Sequence, residues 1–272
     1  MLALTSEDLD EIIMTELFVG TADHYRRFRP PYPQEAFDWI VARHGLDGAG
    51  RLLDCGCGPG NVFVGLARWF SHTIAMDPDA EMLAMARRAA AAERIEAITF
   101  VLGRAEDIAD TVGPLRVAAF GASFHWTDRI AVARHLDRFV EPDGAVVILS
   151  PSSLWSGRVF EWKAVVIDTI KHWLGNERRA GPGTYSAKPL HQECLKQTPF
   201  CALTEVTFVQ PHVWTYDGII GYLYSTSFAS RAVLGDNVAN FEKDLHERLS
   251  GLSADGQFAD EIEYSVISAR RE

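Results

Sequence analysis

Asp54 and three glycines at alternate positions form the first chemical signal in this chain, in Asp54-Cys55-Gly56-Cys57-Gly58-Pro59-Gly60-Asn61. The dinucleotide fingerprint Gly-x-Gly-x-x-Gly, counted from Gly56, needs a glycine where Asn61 stands. A Walker loop needs Gly-Lys-Ser/Thr, and no lysine lies nearby. Pro59 offers no N–H, and the Asp54 carboxylate repels a pyrophosphate laid against it. That carboxylate suits a cationic amine instead, and the glycines let backbone approach such a ligand closely. Asp77, about 20 residues beyond the loop, is placed to accept hydrogen bonds from ribose hydroxyls. An amine site and a ribose site together describe S-adenosylmethionine.

These residues need a strand–loop–helix frame, and the flanking sequence supplies it. Arg51–Asp54 reads as a strand and Val62–Phe70 as the helix after the loop. His72–Met76, Ile98–Leu102, Leu115–Gly121 and Ala145–Ser150 read as further strands. Helices are expected over Ala80–Arg94 and over Arg129–Phe139, the latter stopped by the turn signal Pro142-Asp143-Gly144. This alternation predicts an α/β fold, a parallel sheet with helices on both faces. It also puts Gly103–Asp107 and Ala122–Trp126 at the carboxyl edge of the sheet, where open α/β sheets bind ligands. Upstream, Leu9, Ile12, Ile13 and Leu17 share one helix face, with Thr5 or Ser6 as N-cap. Downstream, Trp155, Val159, Trp162, Val166, Ile170 and Trp173 recur at three- and four-residue steps, predicting an amphipathic helix. Leu203–Val209 and Ile262–Ala269 read as late strands.

The 272 residues include 26 basic and 37 acidic side chains, a formal charge of −11, which argues against a nucleic-acid partner. With 47 % hydrophobic and 23 % charged residues, the composition is that of an ordinary soluble protein. Four cysteines are too few for a disulfide scaffold. No apolar run approaches the roughly 18 residues of a membrane span. Met1–Asp10 carries no Lys or Arg and does not read as a signal or transit peptide. The expectation is a cytoplasmic protein with a small-molecule substrate and neither nucleic-acid nor membrane partner; the oligomeric state is left open.

Asp54-Cys55-Gly56-Cys57-Gly58-Pro59-Gly60 resembles motif I of the class I S-adenosylmethionine-dependent methyltransferases, and departs from it only in its two cysteines. Asp77, Ala105-Glu106-Asp107 and the segment after the fourth strand match later motifs of that family in order and spacing. Tyr25-Arg26-Arg27-Phe28-Arg29-Pro30-Pro31-Tyr32-Pro33 and Phe124-His125-Trp126-Thr127-Asp128 resemble a small-molecule subgroup that includes the trans-aconitate methyltransferase-like proteins. These matches cover residues 25–150; Tyr224–Phe228 and Ser268–Arg271 are shorter ones. The resemblance implies a Rossmann-like, doubly wound sheet of seven strands in order 3-2-1-4-5-7-6, with strand 7 antiparallel. It implies one domain over 1–272: a helical cap or lid over 1–50, a cofactor-binding core over 51–150, a substrate-binding insertion over 151–230, and a last helix and strand over 231–272.

Carried over residue by residue, the resemblance sets the methionine end of the cofactor against Gly56, with Asp54 supporting its amine. Cys55, Gly58, Gly60, Pro78 and Ser123 fall within or beside the same motifs. Tyr25 and Arg29 would face the methionine carboxylate, Asp77 the ribose, Met82 the adenine ring, and Ala105 and Glu106 the adenine edge. S-adenosyl-L-homocysteine would be the product. The two cysteines read as small side chains in a tight loop, and the eight histidines other than His125 show no ligand spacing, so no metal is expected.

Methyl transfer from a sulfonium is an in-line displacement. A carboxylate acceptor needs no base, whereas for a phenol, amine or carbon acceptor His125 is the candidate base, with a place beside Trp126 in the pocket wall as its alternative role. Phe124, Trp126, Trp155, Trp162, Tyr224 and Phe18 are candidate substrate-wall residues, with core packing as the alternative for the tryptophan stripe. Two other readings stay open: a protein of this fold that binds the cofactor for a non-methylating reaction such as cyclisation, and an NAD-dependent oxidoreductase, which Asn61 and Asp54 disfavour. Gly121-Ala122-Ser123-Phe124 stands where nucleic-acid enzymes carry an Asn/Asp-Pro-Pro-Tyr segment.

Overall fold

The computed structural model describes residues 20–180, 183–184 and 189–272, so the helix expected over Leu9–Leu17 and the candidate Phe18 lie outside the described residues. Strands β1 (Arg51–Cys55), β2 (His72–Asp77), β3 (Ile98–Leu102), β4 (Leu115–Gly121), β5 (Val140–Pro151), β6 (Ala202–Thr215) and β7 (Gln257–Arg270) form one sheet. Their order is β3-β2-β1-β4-β5-β7-β6, as the resemblance implies. The first five strands run parallel, and β7 is antiparallel to β5, from Val146 opposite Ala269 to Pro151 opposite Tyr264. Helices α1 (Ala22–Phe28), α2 (Gln34–His44), α3 (Phe63–Leu66), α4 (Ala80–Ala92) and α5 (Arg129–Leu136) are followed by α6 (Glu161–Leu174), α7 (His191–Leu195), α8 (Tyr216–Tyr224), α9 (Arg231–Leu234) and α10 (Val238–Ser250). None of the described helices is long and apolar enough to cross a membrane.

The chain divides into two compact units. The first comprises residues 31–151, 188–208 and 263–272, and the second the described residues of 1–30, 152–187 and 209–262.

In the first unit, β1, β4 and β5 are apolar on both faces because helices cover both. Leu53, Phe120 and Ile148 pack on one side with Val132 and Leu136 of α5; Leu52, Val117 and Val147 pack on the other with Ile40 of α2 and Phe63. The strand edges differ from the sequence reading at β5. It starts at Val140, ahead of what reads as a turn, because the register jumps from Leu115–Val140 to Val117–Ala145 and absorbs Pro142-Asp143-Gly144 as an irregularity. Gly144 is needed there, since a Cβ would lie 2.9 Å from the Leu115 carbonyl oxygen. The Arg271 guanidinium braces the same corner, donating to the Asp137 carboxylate and to the carbonyls of Asp137, Val140 and Glu141. The helix expected over Val62–Phe70 is α-helical only over α3 and continues as a 3-10 turn over Ala67–Trp69.

In the second unit, α6 is shorter than the tryptophan stripe. It starts at Glu161, so Trp155 and Val159 lie outside it; Val159 is 84 % exposed, while Trp155 packs edge-on against Phe228 at 4.3 Å. Trp162 is buried, its indole donating to the Ala259 carbonyl at 2.8 Å. Helix α1 packs on α8 through Gly221, where a Cβ would come within 2.2 Å of the Phe28 ring.

Candidate functional site

The carboxyl end of β1 runs into a turn built around two buried acids. Asp54 has no exposed surface; its Oδ2 accepts the Phe63 N–H at 3.0 Å, capping α3, and its Oδ1 meets no donor among the described residues. Burial pushes its pKa up to about 7, with the nearby Asp77 adding to the rise and the Phe63 bond opposing it. Asp77 ends β2. Its Oδ2 accepts Gly58 N–H at 2.8 Å and its Oδ1 accepts Asp79 N–H at 2.9 Å. Burial raises Asp77 to about 6 against those two bonds. A further bond, Cys57 N–H to the Met76 carbonyl at 2.9 Å, ties the turn to the end of β2.

The glycines differ in what they permit. Gly56 has φ of +66°, and a Cβ there would fall 2.5 Å from the Ser123 Cβ. Ser123 therefore sits against the turn, its hydroxyl donating to the Cys55 carbonyl at 2.6 Å. Gly58 has φ of +52°, and a Cβ would meet nothing within 4 Å, so space lies open beside it. Gly60 packs under the Phe63 ring. Both thiols in the turn, Cys55 and Cys57, are buried and pushed up, by burial first and then by the Asp54 charge, so neither is a nucleophile at neutral pH.

The neighbouring strand ends complete this edge. After β2, Pro78 is exposed, Asp79 caps α4 by accepting the N–H groups of Glu81 and Met82, and Met82 itself is buried. After β3, Ala105 is buried, and Glu106 accepts the Asp128 N–H at 3.0 Å while pairing with Arg104 at 3.5 Å. After β4, Ala122 takes φ of +54°, a conformation that costs an L-residue of order 1 kcal/mol. Its N–H donates to the Leu149 carbonyl at 2.8 Å, which fixes the reversal that presents Ser123–Trp126. Phe124 is fully buried, 4.8 Å from Phe120 and 5.5 Å from the His191 ring, and so belongs to the core. His125 and Trp126 are half-buried, with ring centroids 4.7 Å apart.

The first unit thus joins Asp54, Cys55, Gly56, Gly58, Asp77 and Ser123 by direct contacts, with Gly60 in the same turn. Tyr25, Arg29, Trp155, Trp162 and Tyr224 belong to the second unit. There Arg29 donates to the Ser225 hydroxyl at 2.8 Å and the Ser225 carbonyl at 3.1 Å, its guanidinium 4.8 Å from the Tyr25 ring and 4.9 Å from Tyr222. Tyr224 is buried and donates to Glu242. Sequence reasoning missed His191 and Arg129, which stand beside His125 and Phe124, and the strained Ala122. Among the described residues, no three His, Cys, Asp or Glu side chains group as metal ligands.

Comparison with known proteins bears on this edge. Residues 52–144, from β1 to the start of β5, match the family described as Methyltransferase domain. This segment is a methyltransferase domain. An uncharacterized methyltransferase of Mycobacterium tuberculosis is 30 % identical over 131 residues, 48 % of this chain and 50 % of that protein. The trans-aconitate 2-methyltransferase of Rhodopseudomonas palustris is 31 % identical over 138 residues, 49 % of this chain and 50 % of the relative. The chain thus spans about half the length of the curated relatives it matches. The fold extends further. A candidate type II methyltransferase from Anaeromyxobacter dehalogenans superposes with a TM-score of 0.59 at 23 % identity, covering 90 % of this chain and 98 % of its own. A SAM-dependent methyltransferase from Geobacter sulfurreducens, solved with S-adenosyl-L-homocysteine, gives 0.53 at 18 % identity over 94 % of this chain and 98 % of its own.

Proposed function

We propose that this methyltransferase domain binds S-adenosylmethionine along the turn after β1 and catalyses transfer of its methyl group to a small-molecule acceptor, by O- or C-methylation. The observation that carries the reading is Asp54: a carboxylate buried, among the described residues, without a cation and with one oxygen unpartnered, at the head of a glycine turn with open space beside Gly58. A ligand ammonium supplies the charge that Asp54 lacks, whereas a pyrophosphate would add negative charge against two acids.

When bound, the cofactor supplies a methyl group on a positively charged sulfur, open to in-line attack. The chain's own residues bind, orient and move protons. Asp54 holds the amine, Asp77 keeps lone pairs for the ribose hydroxyls beyond its two backbone bonds, and Met82, Ala105 and Glu106 frame the adenine, with Pro78 at the rim. Ser123 fixes the turn against the end of β4, and His125 takes the acceptor's proton where the acceptor is a phenol or a carbon acid. Trp126 shares the half-buried position of His125 and suits the substrate wall; Phe124 and Trp162 are committed to the core.

Calorimetry with S-adenosylhomocysteine and with NAD tests the binding half: the reading expects the first to bind and the second not, and the reverse overturns it. Incubation with labelled methyl donor and a panel of carboxylic acids, phenols and prenylated acceptors tests the transfer half. Cofactor binding with no transfer to any small molecule would favour a non-methylating reaction. A His125→Ala enzyme with undiminished turnover on a phenol would remove the base role.

A further inference from the structure

His191 lies 66 residues from His125 in sequence, yet the two rings are 6.4 Å apart, and His191 also packs against Phe124 at 5.5 Å. Its neighbour on the other side is Arg129, a side chain only 8 % exposed with no carboxylate partner among the described residues. The Arg129 Nη1 donates to the Pro189 carbonyl at 2.7 Å and lies 3.4 Å from His191 Nδ1. A guanidinium has only donors, so the ring nitrogen facing it is the acceptor. The proton of the neutral ring is therefore on Nε2, and among the described residues Nε2 makes no hydrogen bond. The arrangement is a donor of fixed tautomer, backed by a buried cation and set beside the loop that carries His125.

Resting on the methyltransferase reading, we infer that His191 is an acceptor-binding residue: its Nε2–H donates to an anionic oxygen of the acceptor, and Arg129 is the positioning residue that fixes its tautomer. The chemistry recognised is an oxyanion, whether phenolate or carboxylate. Such a donor orients the acceptor and holds it deprotonated, a task distinct from proton removal by His125. The ring must stay neutral, with one donor and one acceptor nitrogen, through the working pH range. Burial and the Arg129 charge lower its pKa to about 4, with Glu205 pulling the other way and His125 a further titratable neighbour.

Two measurements test this. Long-range 15N–1H spectra of the imidazoles read the tautomer without any substrate. The wild type should show His191 as the Nε2–H form from pH 5 to 8, and Arg129→Met, which removes the charge but leaves the burial, should release the tautomer and raise the pKa only part of the way towards its ordinary value of about 6.5. An Nδ1–H tautomer, or ordinary titration in the wild type, overturns the arrangement. Kinetics then use a phenol and a dicarboxylate taken from the acceptor panel. His191→Phe should raise KM for the acceptor about tenfold or more, with kcat changing less and S-adenosylhomocysteine affinity unchanged. His191→Gln, which keeps an amide donor, should recover part of that loss. Unchanged KM in His191→Phe, or equal loss of cofactor affinity, overturns the proposal. A wild type that fails to bind S-adenosylhomocysteine defeats the parent reading instead, and the tautomer result stands apart from it. Response of only the phenol or only the dicarboxylate to the variants identifies the oxyanion.

Discussion

Asp260 and Asp54 are buried to a similar degree and handled in opposite ways. In the second unit, Asp260 meets the Lys163 ammonium at 2.7 Å and the Trp214 indole N–H at 2.9 Å, and both members of the ion pair are nearly inaccessible. In the first unit, Asp54 meets one backbone N–H at 3.0 Å, and Asp77 meets two; among the described residues neither acid has an ion pair. A buried charge needs a partner of opposite sign or it gives up the charge. Lys163 makes Asp260 self-sufficient, a fastening between α6 and β7. Asp54 is left with a pKa near 7 and no cation among the described residues, and on the proposed reading the ligand's ammonium is its partner. The difference separates a residue that serves the fold from one proposed to serve a ligand.

That contrast can be broken by substitution. The largest effect on stability belongs to Lys163→Met, which strands the Asp260 charge: a loss of about 3–5 kcal/mol is expected in denaturant unfolding, with cofactor contacts in the first unit untouched. Asp54→Asn should do the reverse. S-adenosylhomocysteine affinity should fall about a hundredfold (about 2.7 kcal/mol), while the ligand-free protein becomes no less stable at pH 8. The sign follows from the raised pKa: the folded state binds a proton more tightly than the unfolded state, so Asp54 erodes stability as pH climbs from about 4 through about 7. Destabilisation of Asp54→Asn at pH 8 would place Asp54 with Asp260 as a structural acid.

Asp77→Asn sharpens the comparison from the other side. Its two oxygens accept two N–H groups, and an amide oxygen can serve only one of them, so both the turn and the site suffer. A loss of about tenfold in cofactor affinity together with a lower melting temperature is expected. Gly58→Ala carries the smallest effect. The open space admits the methyl, and the left-handed backbone costs about 1 kcal/mol, which thermal unfolding will register.

Much of the first unit was legible because local and tertiary signals agree there. Five short apolar runs, each ending at a polar or glycine-rich break, placed β1 to β5, and their carboxyl ends placed Asp54, Asp77 and Ser123 together. The start of β5 was not legible, because Pro142-Asp143-Gly144 carries strong turn chemistry and only the bracing by Arg271 and the register jump keep it in the strand. Trp155 joined the tryptophan stripe by spacing alone, and the helix begins after it. His191 and Arg129 were invisible for a different reason: nothing periodic links residues 62 positions apart, and only the packing of α7 beside Phe124 brings them to the same edge. Lys163 and Asp260 likewise reveal themselves only as a pair.

The central claim is that Asp54 gives up a proton to receive a ligand cation, and proton counting tests it directly. S-adenosylhomocysteine binding is measured by calorimetry in two buffers of different ionisation enthalpy, across pH 5.5 to 8. Release of a substantial fraction of one proton near pH 6.5, fading toward pH 8 as affinity rises, is the predicted result. Binding that exchanges no protons and keeps the same affinity across that range would contradict the account.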